Sequence, residues 1–516
     1  MPPLPLSGRD LTIDRVVEVA RGRRAVALDP AAAERMRASR AIVERIVADG
    51  TTAYGVTTGF GDLADVRIEP HRTAELQRNL VRSHAAGVGE PLPDDVVRAM
   101  LLLRANALAV GLSGVRVEVV ELLIGMLNRA VHPIVPSRGS LGASGDLAPL
   151  AHVALVLIGE GEATVDGAGP GSGADALARA GLSPLTLEAK EGLALLNGTQ
   201  LMGAIGALAH HDALRLAISA DIIGAMSLEA MLGTGAAFDE RLVGARPHPG
   251  QVASARHLRE LLRDSEIWAS HRADTEHRVQ DAYSLRCMPQ VHGAARGVLA
   301  ELERVLAVEM NAATDNPLVF PSGEVMSGGN FHGEPLALAL DYATLAVAEL
   351  ASISERRTAR LVDPHLNGGL PAFLAEDPGV ESGLMIAHYT AASLVNELQG
   401  LAHPASVDTI PTSANQEDHV SMGGTAALQL QAAVDRAEHV LAIEALAAAQ
   451  GLDFREPMRP GAGVAAAHDA IRRRVGHRAA DASPAPEIEA VRDLLHAGDL
   501  LANAATARAH EAATHD

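Results

Sequence analysis

The chain holds one cysteine, Cys287, in 516 residues. That excludes an intrachain disulfide and any paired-cysteine metal motif, and it suits a reducing compartment. Aromatic residues make up only 2%, and the four tyrosines are Tyr54, Tyr283, Tyr342 and Tyr389. A tyrosine inside a Gly-rich loop is therefore more informative than usual. Basic residues are outnumbered, 43 against 64 acidic ones, giving a net charge of −21. This argues against non-specific binding to nucleic acid or anionic membrane. Long apolar stretches such as 336–353 are interrupted by Asp341 and Glu349, so no membrane span is expected. The opening MPPLPLSGRD has neither the basic start nor the apolar core of a signal peptide. Twenty-two histidines are present, but no HExxH or Cys/His spacing accompanies them, so no metal is expected. These features predict a soluble cytoplasmic protein with no nucleic-acid partner and no membrane.

What remains is a globular composition, 48% hydrophobic and 21% charged. Helical periodicity dominates. Asp29-Pro30 is an N-cap followed by Pro at the first helical position, and Gly50 is a stop. Further helices are expected over 75–83, 94–110 and 115–128, and long ones over 199–232, 289–313, 334–361, 380–401 and 420–450, with a tail helix at 486–507. A small hairpin is expected around Ser322-Gly323. The Gly-rich loop 166–175 contains a G-x-G-x-x-A pattern, but without a strand or βαβ frame it does not read as a dinucleotide site. Long helices that are apolar on more than one face bury against other helices or subunits. The fold class is therefore mainly α, with a central bundle of long helices and an oligomeric state. The expected division is 1–200 and 201–516.

The chemistry centres on Ala143-Ser144-Gly145-Asp146, within GSLGASGDLAPLAH. Gly145 has no side chain to shield its nitrogen and tolerates a tight bend. Its nitrogen could close on the Ala143 carbonyl carbon. Loss of two waters, the second by elimination of the Ser144 hydroxyl, would leave an exocyclic methylidene, an electrophile made from the chain itself. Taken alone, the tetrapeptide reads more readily as a turn, with Asp146 capping a helix that starts at Leu147.

The neighbouring blocks change that balance. They are Tyr54–Gly61, Ser83-His84-Ala85-Ala86-Gly87, Asn197-Gly198-Thr199-Gln200, Val279–Arg286, Gly328–His332 and Ser413–His419. Each sets reactive polar or aromatic groups among small residues. In this order, over about residues 50–455, they resemble the aromatic amino acid ammonia-lyases, most closely those acting on histidine. The resemblance implies a mainly α ammonia-lyase fold (fumarase/aspartase-like), a homotetramer, and methylidene-imidazolone (MIO) formed autocatalytically from Ala143, Ser144 and Gly145 in the N-terminal domain. It implies elimination of ammonia from L-histidine to give trans-urocanate, the first step of histidine degradation.

Residue by residue, the resemblance makes Tyr54 the base that removes the β-proton. A free phenol is only about one part in a thousand ionised at neutral pH, so the site must lower its pKa. Asn197 and Tyr283 would lie beside the ring as hydrogen-bond donors. Arg286 would clamp the substrate carboxylate, and Gln280 would add a polar contact. Phe331 and Met385 would line the pocket, and His84 and Glu417 would contact the imidazole. A carboxylate accepts an imidazole N–H, whereas a phenyl ring offers it no donor. The chain departs from the family pattern at Thr57 (commonly Asn), Ala282 (commonly Pro) and Leu398-Gln399 (commonly Asn-Lys), the last bearing on fine substrate preference. A phenylalanine or tyrosine ammonia-lyase, or an aminomutase, on the same electrophile is the alternative. A non-catalytic helical oligomer is the alternative from another class.

Overall fold

The computed structural model describes residues 1–53, 55–58, 68–142, 145–271, 279–502 and 504. The chain divides into two compact units. One comprises Met1–His211, Leu302–Asp341 and Pro404–Gln429; the other comprises Asp212–Glu301, Tyr342–His403 and Leu430–Asp516. Helices predominate in both. The longest, Gln200–Ala230, Met288–Glu309, Glu334–Val362 and Gly423–Asp453, each contribute residues to both units.

Local signals in the sequence act as expected at several ends. Helix Pro30–Asp49 begins with the Asp29 carboxylate accepting from the Ala31 and Ala32 amides at 2.8 and 3.2 Å, and it closes at left-handed Gly50. The hairpin forms, with Leu318–Val319 antiparallel to Val325–Met326. Two ends differ. The helix expected from 380 starts at Met385, because the residues before it turn back: the Glu381 carboxylate takes the Glu376 and Asp377 amides at 3.1 and 3.2 Å. The tail helix Ala485–Ala497 breaks at Gly498, whose φ of 78° leaves the helical region, and helical residues resume over 499–502.

In the first unit, helix Asp94–Ala109 is buried from Val96 onward, arginines included. Arg98 turns a helix-end problem into a contact. Its guanidinium donates to the carbonyls of Val19 (2.8 Å), Ala20 (3.0 Å) and Leu127 (3.1 Å), at the C-terminal ends of helices Ile13–Ala20 and Val117–Asn128. Carbonyls at helix ends lack the i+4 amide of the helix interior, and a cation there is favoured by the helix dipole. Gly206 lets Leu340 and Leu306 approach, since a Cβ there would sit 3.0 and 3.4 Å from them. The sheets are small and lie in this unit. Leu4–Leu6 is parallel to Val26–Leu28, Val88–Pro91 pairs with Pro136–Arg138, and Glu162–Val165 lies between Val131–Pro133 and Gly171–Ser172.

In the second unit the packed helices bury charge. Arg357 and Glu444, both fully inaccessible, pair at 2.5 and 2.8 Å, and Ser227 donates to Glu444 at 2.6 Å. Asp221 accepts from Ser254 (2.6 Å) and lies 2.8 Å from His292, 3.1 Å from His257 and against Arg296. Burial opposes ionisation of Asp221, but the His257 and His292 hydrogen bonds and the two nearby cations outweigh it and hold the carboxyl far below its usual range. Helix Glu334–Val362 has the length and hydropathy of a membrane span, yet 67% of its apolar window is buried inside the protein, as in a core helix.

Candidate active site

Gly145 is held against Gly198 by a parallel backbone bridge, and the Asp146 amide donates to the Gly198 carbonyl at 2.7 Å. Gly145 has φ +78°, and a Cβ on it would lie 2.1 Å from the Gly198 oxygen. Only glycine fits there. Ala143 and Ser144, the residues just before it, lie outside the described residues, as does Tyr54.

The capping role expected of Asp146 is corrected. Asp146 precedes helix Leu147–Leu157 but makes no side-chain cap to it. Its carboxyl instead accepts from the amides of Leu201 (2.8 Å) and Met202 (3.1 Å), at the start of helix Gln200–Ala230, and from Ser140 Oγ at 2.6 Å. Burial pushes this carboxyl up to about 6 despite those bonds. Asp146 thus fastens the bend to the N-terminus of a helix far away in sequence.

Asn197 closes helix Glu191–Leu196 and is buried, with its Nδ2 donating to the Asn316 carbonyl at 2.9 Å. Beneath it, Arg104 Nη1 donates to the Asn197 carbonyl and, at 2.7 Å, to Gln200 Oε1. Lys190 and Asp315, both buried, pair at 2.7 Å. Burial lowers the pKa of Arg104 to about 10, so it stays charged at neutral pH.

His84 and Glu417 also belong to this unit. Half-buried His84 ends helix Thr73–His84, with Nδ1 2.9 Å from the Leu80 carbonyl and 3.1 Å from Ser83 Oγ. Burial depresses its pKa, while the Leu80 bond and the charge of Glu417 work the other way. His84 therefore lies in the field of Glu417. The Glu417 carboxylate accepts from Thr412 Oγ1 at 2.9 Å. Between them Ser413, Ala414 and Asn415 are all left-handed, with φ 51°, 54° and 67°. Three consecutive non-glycine residues there store strain of the kind found at ligand-binding loops. Phe331 is half-buried. His332, Glu334 and His419 bring their ligand atoms within 4.8 Å of one another, but both His332 ring nitrogens already have partners, the His419 carbonyl at 3.1 Å and the Glu334 amide at 3.3 Å.

Gln280, Tyr283, Arg286 and Met385 fall in the second unit. Tyr283 opens the short helix Tyr283–Arg286 and is 71% exposed, and the Arg286 guanidinium lies 4.5 Å above its ring. Arg286 Nε donates to the Asp281 carbonyl at 2.9 Å. The Asp281 carboxylate anchors the segment by accepting from the amide and hydroxyl of Thr234 at 2.7 and 3.0 Å. Tyr283 lines a cavity of about 820 Å³ together with Arg356, His365, Phe373 and His388. Met385 begins its helix where Asp481 takes the Ser382 and Gly383 amides at 2.7 and 2.9 Å.

A family model described as "Aromatic amino acid lyase" matches residues 11–473. The chain belongs to the aromatic amino acid lyase family. Histidine ammonia-lyase from Anaeromyxobacter sp. (strain K) is 56% identical over 97% of this chain and 100% of its own length. Histidine ammonia-lyase from Myxococcus xanthus is 54% identical over 98% and 99%. Among solved structures, histidine ammonia-lyase from Trypanosoma cruzi superposes with a TM-score of 0.91 at 42% identity, covering 98% of this chain and 95% of that one. Tyrosine aminomutase from Streptomyces globisporus gives 0.92 at 39%, covering 98% of each. The mainly α architecture is that of the aromatic amino acid lyases.

Sequence reasoning missed the support beneath this lyase site: Arg104, the Lys190–Asp315 pair and the true partners of Asp146. One signal was available. Arg104 follows the apolar run Ala99–Leu103 and precedes a stretch in which only Asn106 is polar, where a charge needs a buried partner.

Proposed function

We propose that this lyase eliminates ammonia from L-histidine, without hydrolysis, to give trans-urocanate, the opening reaction of histidine degradation in the cytoplasm. The reading rests above all on His84 set in the field of Glu417 within a chain 56% identical to a histidine ammonia-lyase. Imidazole offers Glu417 an N–H; a phenyl ring would leave that carboxylate desolvated and unpaired, a cost of about 1–3 kcal/mol or more.

The position of Gly145 fits methylidene-imidazolone. Its backbone is already bent into the left-handed region, and a side chain would strike the Gly198 carbonyl. Ala143, Ser144 and Gly145 would carry the group, which supplies an electrophile for the substrate amine and so makes ammonia a workable leaving group. Tyr54 takes the β-proton, and Arg286 binds the carboxylate in bidentate fashion. Asn197 and Tyr283 donate hydrogen bonds to charge developing beside the bend. Gln280 supplies a polar contact, and Phe331 and Met385 form apolar walls.

The protein acts as a homotetramer whose sites draw residues from more than one subunit. Leu338, Tyr342 and Leu345 support this, since they are exposed at i, i+4 and i+7 of one helix, the spacing of a face that seeks a partner. A second reading, an aminomutase on the same framework, is favoured by the superposition on tyrosine aminomutase.

The test compares wild type with Ser144→Ala on L-histidine, following ammonia and urocanate. Wild type is expected to release both in equal amounts, and the variant to release neither. Equal activity in the two removes the mechanism, cinnamate formed faster than urocanate removes the substrate, and a β-amino acid product selects the aminomutase.

A further inference from the structure

The Asn197-Gly198 segment does two things at once. Its Gly198 carbonyl receives the Asp146 amide beside the Gly145 bridge, and its Asn197 side chain is fixed on the Asn316 carbonyl at 2.9 Å. Both depend on how this short stretch of backbone is held from below, and Arg104 holds it. Its side chain is 1% exposed. A single nitrogen, Nη1, reaches the Asn197 carbonyl and Gln200 Oε1, and Gln200 Nε2 passes the contact on to Thr314 Oγ1 at 2.9 Å. Gly198 lacks a side chain where Arg104 arrives; a Cβ there would lie 2.4 Å from Nη1. Arg104 Nε and Nη2 have no hydrogen-bond partner among the described residues. Its hydrogen bonding is therefore concentrated on this one segment.

An arginine is a costly way to fill such a space. Burial of a guanidinium carries a penalty of several kcal/mol, and apolar residues of similar volume commonly match or exceed the stability of buried ions. The same helix is apolar on both sides of Arg104. What Met or Leu could not provide is a fixed donor for the Asn197 carbonyl.

We propose that Arg104 is a positioning residue for the lyase reaction, holding the Asn197-Gly198 backbone so that the Gly145 bend can close and the Asn197 amide stays aimed at the reacting centre. The proposal rests on the lyase reading above. Among the described residues Arg104 acts through Asn197, Gly198 and Gln200. Without it the Asn197 carbonyl is buried with no side-chain donor among the described residues, and the segment loses its anchor from below. Misplacement by about 1 Å near a reacting centre costs on the order of 100-fold in rate.

The experiment uses the full chain as wild type, Arg104→Met, Arg104→Lys and Gln200→Met. Intact mass gives the fraction of chains that have lost two waters, circular dichroism reports folding, and kcat and KM for L-histidine are taken per dehydrated chain. Wild type should be fully dehydrated. Arg104→Met should fold, contain unprocessed chains and lose about 100-fold in kcat with KM unchanged. Arg104→Lys should recover part of the dehydrated fraction, because it keeps a charged donor, and Gln200→Met should show a smaller loss of the same kind. A folded, fully dehydrated Arg104→Met with wild-type kcat overturns the proposal, as does a change confined to KM. If Arg104→Met does not fold, Gln200→Met decides, and wild-type values there overturn it. A wild-type mass without water loss refutes the lyase reading itself, and the proposal falls with it.

Discussion

Replacing Glu417 with Gln isolates the charge proposed to select the substrate. The amide is nearly isosteric, and its oxygen can still accept the Thr412 hydroxyl that Glu417 takes at 2.9 Å. The backbone pairing of Thr412 and Glu417, at 3.0 and 3.3 Å, involves no side chain. The strained turn between them is therefore retained, and what disappears is the negative charge. A hydrogen bond to a charged group contributes about 1.5–3 kcal/mol and a neutral one about 0.5–1.5 kcal/mol. The difference, about 1–2 kcal/mol, corresponds to roughly a 5- to 30-fold loss in kcat/KM for histidine. Phenylalanine should lose nothing, because the variant no longer buries an unpaired carboxylate against its ring. The ratio of the two specificities should therefore fall by more than the histidine value alone.

The same substitution carries a second, independent signature. Burial depresses the His84 pKa and the Glu417 charge partly restores it. Removing the charge must lower His84 further, so any limb of the pH profile that reports His84 moves to lower pH. The assay is initial ammonia release from histidine and phenylalanine across pH. If histidine kcat/KM is unchanged, and the His84 limb stays in place, Glu417 does not face the substrate imidazole.

Two further predictions concern the buried charges of the second unit. Burial pushes the Glu229 carboxyl up to about 7, against hydrogen bonds from Ser265 and the Gly461 amide. A raised folded-state pKa contributes stability that is complete below the unfolded value near 4.5 and lost as pH rises through about 7. Glu229→Gln should therefore stabilise the protein at pH 8 by up to roughly 3 kcal/mol, from the 1.36 kcal/mol of each pKa unit, and have little effect at pH 4; denaturant midpoints at the two pH values check this, and equal effects at both refute it. Arg357→Met should destabilise by about 3–5 kcal/mol by stranding Glu444, whereas Arg357→Met with Glu444→Leu should recover most of the loss. Inactivation half-lives at one temperature compare them, and a double variant as weak as the single one would show that the pair itself is the source of stability.

The parts of this structure that were legible in the sequence are those whose cause is local. Asp29, Pro30 and Gly50 bound a helix through contacts within a few residues, and Ser322-Gly323 turns a hairpin on its own. The order of reactive blocks identified the family because each block is a short run of unusual chemistry. At the one boundary before Met385 a distant group adds to the local turn: Asp481, about a hundred residues on, takes the amides of Ser382 and Gly383. Asp146 is the clearest case. Its position before Leu147 looks like a cap, but its carboxyl serves Leu201 and Met202. No periodicity encodes that choice.

The two sets of site residues are held in different ways, and the difference bears on the proposed chemistry. Gly145, Asp146 and Asn197 are buried and hydrogen-bonded into place, so their donors cost no reorganisation when charge develops. Tyr283 is 71% exposed and Gln280 is exposed. A phenol in water contributes little to stabilising a developing charge, because solvent competes for its hydrogen bond and screens the interaction. Its value to the reaction rises only when water is excluded from it. The segment carrying it is nevertheless built stiffly, with Asp281 bonded to Thr234 and Arg286 stacked on the ring. Stiffness without cover is what a surface needs if a second copy of the chain is to complete it, since a preordered segment loses little entropy on assembly. On the proposed tetramer, then, subunit association is itself the step that dries Tyr283 and makes it useful.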